Sequence, residues 1–173
     1  MSEVTFSSQL QSTMVALGGA TSVQLKFAAL QMALASSNKG AALEKIDKIT
    51  KDQDAAKQCA AYIQQALQLQ TNAESNTDGA KGNCSEMPAD MKAFFDEHNL
   101  ATDRDANDEW HNKDQWEFNI AHLKTFQETL GANTQQEMVF VNDFMGQYNA
   151  YLQGASTMIS QSNQTLLGLA KGQ

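Results

Sequence analysis

The residues best suited to chemistry lie between positions 97 and 122. The acidic run Asp103-Arg104-Asp105-Ala106-Asn107-Asp108-Glu109, followed by Asp114, carries oxygen ligands at alternate positions, the pattern with which a loop wraps a calcium ion. It departs from that pattern where such a loop is most demanding. Asp108 stands where the sharp turn needs glycine, and Asp114 where a bidentate glutamate should close the shell. A solvated acidic loop is the better reading. His98, His111 and His122 are the other potential metal ligands, with Glu97 beside His98 as a potential base. Two ligands on one helix need a spacing of three or four residues, which no two of these histidines have. The two cysteines, Cys59 on a predicted helix and Cys84 in a predicted loop, have no further Cys or His at ligand spacing and read as incidental thiols. The chain has no nucleophile elbow, phosphate-cradling glycine loop or zinc-hydrolase helix motif, so the expectation is a protein that is not an enzyme and needs no cofactor.

What remains to be explained is the helical framework around these residues. The chain is 173 residues long, about one domain, with a single proline, Pro88, and 8% aromatic residues. Recurrent Ala, Gln and Leu favour helix and leave little material for strands. The formal net charge of −8 and a pI near 4.7 argue against nucleic acid as a partner. No apolar run is long enough to cross a bilayer, so direct membrane insertion is not expected, and the first residues lack the basic-then-apolar order of a cleaved signal.

The most regular pattern is at the C-terminal end. From Asn133 to Leu169 the apolar residues Met138, Val141, Met145, Tyr148, Leu152, Ala155, Ile159, Leu166 and Leu169 alternate at three and four, with Ser162 the one polar break. That is a coiled-coil seam. Between its members lie Asn, Gln, Ser, Thr and Gly, and the only charges in the stretch are Glu137 and Asp143. A helix facing water would carry Glu and Lys there, so this one is suited to being surrounded by other protein. The bland reading is a helix packed in its own bundle.

A second register runs from Thr21 to about Gln70 through Leu25, Met32, Ile46, Ile49, Ile63 and Leu67, with alanines, Lys39 and Gln53 between them. Phe27, Leu30 and Leu34 add a second apolar row near its start. Ser36-Ser37-Asn38-Lys39-Gly40 makes a soft point in what is expected to be one long helix. Glu44 with Lys48, Asp47 with Lys51 and Asp54 with Lys57 give it a solvated face, each pair contributing about 0.2–0.5 kcal/mol.

Between the two seams, Thr71 to Met87 reads as a flexible loop and Pro88 opens a short helix to about His98. A further helix is expected from Lys113 to Leu130, capped by Gly131. Met91, Phe94, Phe95, Trp110, Trp116 and Phe126 should pack as a small head. The expected fold is all-α: a hairpin of two long helices with a small helical and loop insertion. Its parts are residues 1–19, a weakly amphipathic segment around Val4, Phe6, Leu10, Met14 and Leu17; residues 20–70, the first long helix; residues 71–132, the loop and head; and residues 133–173, the C-terminal coiled-coil helix.

This order resembles that of the EspA/SseB family of type III secretion filament subunits. The stretches that carry the resemblance are Val23 to Leu34, then Met87-Pro88-Ala89-Asp90-Met91-Lys92-Ala93-Phe94-Phe95 with Asp96 to Leu100. Leu123 to Asn133 follows, then the Gln- and Asn-rich helix ending near Gly168-Leu169. The likeness covers about Thr21 to the C-terminus and rests on order and texture. It implies a secreted protein that polymerises into a hollow extracellular filament on the bacterial surface. Such a filament extends the needle and links it to pore-forming translocators. It also implies an uncleaved export signal at Met1 to Met14 and a cytoplasmic chaperone that masks the coiled coil before export. On the residues alone, self-assembly would cover the seam, heterologous contacts that do not close give a helix, and an uncharged face including Gln153 and Gln161 would suit a lumen. Two other readings stand beside it: a needle-tip protein of the same machinery, and a soluble helical calcium-binding or protein-interaction module.

Overall fold

A computed structural model describes residues 23–76, 82–102 and 109–172. The segment 1–19 and the core of the acidic loop lie outside the described residues. The fold is all-α in class. Helix α1 runs Val23–Ser75, β1 Cys84–Glu86, α2 Ala89–Glu97, β2 Trp110–Asn112 and α3 Lys113–Lys171. α1 passes through Ser36 to Gly40 without a break. It also continues beyond Gln70, because Ala73, in its last turns, is part of the buried core.

The expected boundary at Gly131 does not exist. α3 is one helix of 59 residues that runs through it. A mid-helix glycine costs only about 1 kcal/mol relative to alanine, too little to end a helix whose flanking residue Leu130 is buried. The chain divides instead into two compact units whose borders fall inside the long helices: Met1–Lys48 with Gln136–Gln173, and Ile49–Gln135.

In the second unit the helices run antiparallel, with Cys59 against Leu123 and Gln70 near Lys113. Here the aromatic head forms. Met91, Phe94 and Phe95 of α2 join Tyr62, Ile63 and Ala66 of α1 and Trp116, Ile120 and Leu123 of α3 in one buried cluster, with Phe126 and Leu100 packed against it. Trp110 stands outside that cluster, half-buried on β2.

The stretches read as loops hold a small antiparallel ladder that pairs Cys84 with Asn112, Ser85 with His111 and Glu86 with Trp110. Cys84 is therefore on a strand, not in a loop. The ladder is anchored by one hydroxyl: Ser85 donates to the Leu69 carbonyl at 2.7 Å and accepts from the Trp116 indole at 2.8 Å.

Both helix ends in the head are closed by side chains or turns suited to it. Asn112 and Gln115 bond each other's backbone N–H at 3.0 and 2.9 Å, a reciprocal cap at the start of α3. At the end of α2, Asn99 takes φ 51, Leu100 N–H reaches Phe95 O and Asn99 N–H reaches Asp96 O. That is a Schellman turn with asparagine in the left-handed place.

In the first unit α1 and α3 are also antiparallel, and their contacts repeat every seven residues. A Cβ on Gly154 would meet Gln31, Asn38 bonds Gln147, and Lys45 lies over the Phe140 ring. The seam is lined by small side chains, with Ala28, Ala35, Ala42, Ala155 and Ser162 all buried.

Candidate functional site

Positions that looked chemically able prove structural where they are described. Each histidine packs on an aromatic ring of its own neighbourhood: His98 on Phe94 and Phe126, His111 on Trp116, His122 on Phe118. Among the described residues no group of three His, Cys, Asp or Glu is placed to hold a metal. Of the acidic run, Glu109 pairs with Lys92 at 2.6 Å, and Asp114 belongs to the first turn of α3. Cys59 is fully buried, and its Sγ donates to the Leu123 carbonyl at 3.1 Å. Burial pushes its thiol up to about 11, which leaves it protonated and unreactive at neutral pH.

The feature with functional content is the distribution of apolar side chains in the first unit. The two rows of the C-terminal heptad part company. Val141, Tyr148, Ala155 and Ser162 lie on the side facing α1, buried or half-buried. The other row, Met138, Met145, Leu152 and Leu166, is exposed at 51, 38, 38 and 59%, with Ile159 half-buried and Leu169 exposed beyond it. On α1 the same split occurs. Ala28, Ala35 and Ala42 face α3, Met32 and Ile46 are exposed, and Leu25 and Ile49 are half-buried. In the second unit Ile63 is in the core and Leu67 exposed.

The outer rows meet. Met32 of α1 lines an apolar groove of about 250 Å³ with Leu152, Ala155, Ser156 and Ile159 of α3. From Met138 to Leu166 the exposed row is about 42 Å long at 1.5 Å per residue. An antiparallel pair whose seam is alanine leaves its large apolar residues along one edge, where a further helix would be needed to cover them. The cause is steric: alanine and Gly154 let the two backbones approach, and the bulky members of the heptad are then displaced to the rim.

The two charges of the C-terminal stretch are treated differently. Glu137 is buried and held between Lys45 at 2.8 Å and Lys48 at 2.6 Å. The Lys45 hydrogen bond, then that of Lys48, holds its carboxyl below the usual range. Asp143 is exposed. Gln153 and Gln161 are both exposed, and the Thr157 and Thr165 hydroxyls above them return to their carbonyls at 2.9 Å. With Glu137 neutralised by α1, the outer surface of α3 from Met138 to Ala170 carries one formal charge, and amides and hydroxyls fill the rest.

Sequence reading located the heptad but not its division between an inner and an outer row. The signal was present in side-chain size, since alanine dominates one row of α1 and Met or Leu the other. No family model, no curated protein and no solved structure matches the chain.

Proposed function

We propose that the chain is a structural subunit of a hollow extracellular filament of the type III secretion class, one that extends a secretion needle and conducts exported proteins toward a host membrane. The observation that carries this reading is the outer apolar row of the first unit, Met138, Met145, Leu152 and Leu166 beside Met32 and Ile46, left exposed by an alanine seam. A second copy of the chain offers the same row, and copies that pair without closing build a filament. Burying one such side chain contributes about 1.5–3 kcal/mol, so a row of them can drive polymerisation once copies meet. The order of elements that resembles the EspA/SseB family points the same way. That resemblance supplies the needle, the pore-forming translocators and a cytoplasmic chaperone as partners.

Within such a filament the uncharged face that includes Gln153 and Gln161 would line the conduit. Gln153→Lys and Gln161→Lys should therefore slow secretion while filaments still form. Electron microscopy of negatively stained, concentrated protein tests the assembly itself: long filaments of uniform width are expected, and a stable monomer or a small closed ring contradicts the proposal.

A further inference from the structure

The outer row needs a partner of a particular kind. Row against identical row is related by a twofold axis and closes at a dimer, so an open polymer requires a second, different surface on the same chain. The first unit carries one. At about 100° per residue, Met32 and Ile46 lie about 20–60° round α1 from the buried Ala35 in one sense, and Phe27 and Leu34 about 80–100° in the other. On α3, Leu152 and Ile159 lie about 40–60° from the buried Ala155 in one sense, and Phe140 and Gly154 about 60–100° in the other. The groove that joins Met32 to Leu152 marks the first side of the pair. The approach of Gln31 to Gly154 and of Lys45 to the Phe140 ring marks the second, opposite to it.

We infer that this second side is the seat of a neighbouring copy's outer row, so that copies stack in one direction, each with its Met32 side on the Phe27 side of the next. Phe27 and Phe140 are 42 and 39% exposed. They stand about 27 Å apart along the pair, because Phe140 is beside Lys45, 18 residues on from Phe27. Between these rings lie the half-buried Leu34, Ala41 and Gly154, which make a shallow apolar trough. Met32, Leu152 and Met145 of the outer row fall within the same 27 Å, so their bulk enters the trough when copies lie side by side without stagger. Charge fits the same arrangement. Between Leu25 and Ile46 the Met32 side carries one charge, the exposed Lys39. On the other side Lys45 and Lys48 are engaged with Glu137, and the charge of α3 that borders the trough is the exposed Asp143. Asn38 bonds Gln147, which puts Lys39 within three residues, about 4.5 Å, of the level of Asp143. Stacked copies therefore bring Lys39 of one to Asp143 of the next. Because the two sides differ, no contact closes. This inference rests on the filament reading and supplies the contact that reading requires.

Cross-complementation tests it, read by size-exclusion chromatography with light scattering and with far-UV circular dichroism to confirm that each variant is helical. Met145→Asp with Leu152→Asp removes one side, and Phe27→Asp with Phe140→Asp removes the other. Each variant alone should remain a monomer where the native chain polymerises. Mixed in equal amounts, they retain one intact side each and should form a complex of twice the 18.9 kDa chain mass and nothing larger. In a separate pair of variants at exposed positions, Lys39→Glu should raise the concentration needed for assembly by about tenfold, and Asp143→Lys added to it should restore the native value. A Phe27 and Phe140 variant that polymerises like the native chain, a mixture that stays monomeric, or a charge swap without rescue overturns the inference while the filament reading stands. A native chain that never assembles overturns both.

Discussion

Glu137 shows how much one residue's neighbours decide. Read along the sequence it is one of two charges in an otherwise uncharged helix, and nothing local says what it does. In the fold it lies between Lys45 and Lys48, whose hydrogen bonds keep it ionised. Its folded value is lowered, so the folded state binds fewer protons than the unfolded chain. The stability it contributes is present in full above about pH 4.5, the ordinary value, and is lost as pH falls through the lowered one. Circular-dichroism melts from pH 6 to 3 should therefore decline more steeply for the native chain than for Glu137→Gln; parallel curves would remove the residue from the account. The cysteines give a second test at this scale. Cys59, with its thiol pushed up to about 11, should resist a maleimide at neutral pH until the chain unfolds, while half-buried Cys84 is modified first. Peptide mapping of the labelled chain reads the order.

The long helices and the short α2 were legible because their signals are local and repeated: three-four apolar spacing, and Pro88 at the entry to α2, where it takes the N-cap position in extended backbone without a side-chain cap bond. The ends were less so. Gly131 resembles a cap, yet nothing stands within 4 Å of a Cβ built there and the helix continues. Gly131→Ala should accordingly raise stability by about 0.5–1 kcal/mol in a denaturant titration; a loss would show that the glycine is needed. The β1–β2 ladder escaped notice because three-residue strands carry no period. It exists through Ser85, whose hydroxyl joins the Leu69 carbonyl to the Trp116 indole across the buried head. Ser85→Ala leaves that indole N–H without its partner and should cost about 1–3 kcal/mol. α3 begins at Lys113, where the sequence places a helix start, and the structure adds the reciprocal cap of Asn112 and Gln115 that closes this end.

For the molecule as a whole, the decisive property is where bulk was placed relative to the seam. The heptad was plain in the sequence, but periodicity alone does not say which row pairs within the chain and which remains outside. Side-chain volume settles it: alanines take the closely approached seam, and Met, Leu and Ile are left on the rim. The candidate chemical residues, by contrast, were legible only as possibilities, and the described histidines and Cys59 prove to be packing elements. The central claim is that the outer row exists for contact between copies. Met145 and Leu152 are each 38% exposed, so aspartate at both places leaves the alanine seam untouched. The most direct measurement is light scattering across a concentration series for the native chain and for Met145→Asp with Leu152→Asp, with far-UV circular dichroism as the check on folding. The account predicts mass that grows steeply with concentration in the native chain, and a helical monomer in the variant. A native chain that stays monomeric throughout, or a helical variant that assembles equally well, would contradict it.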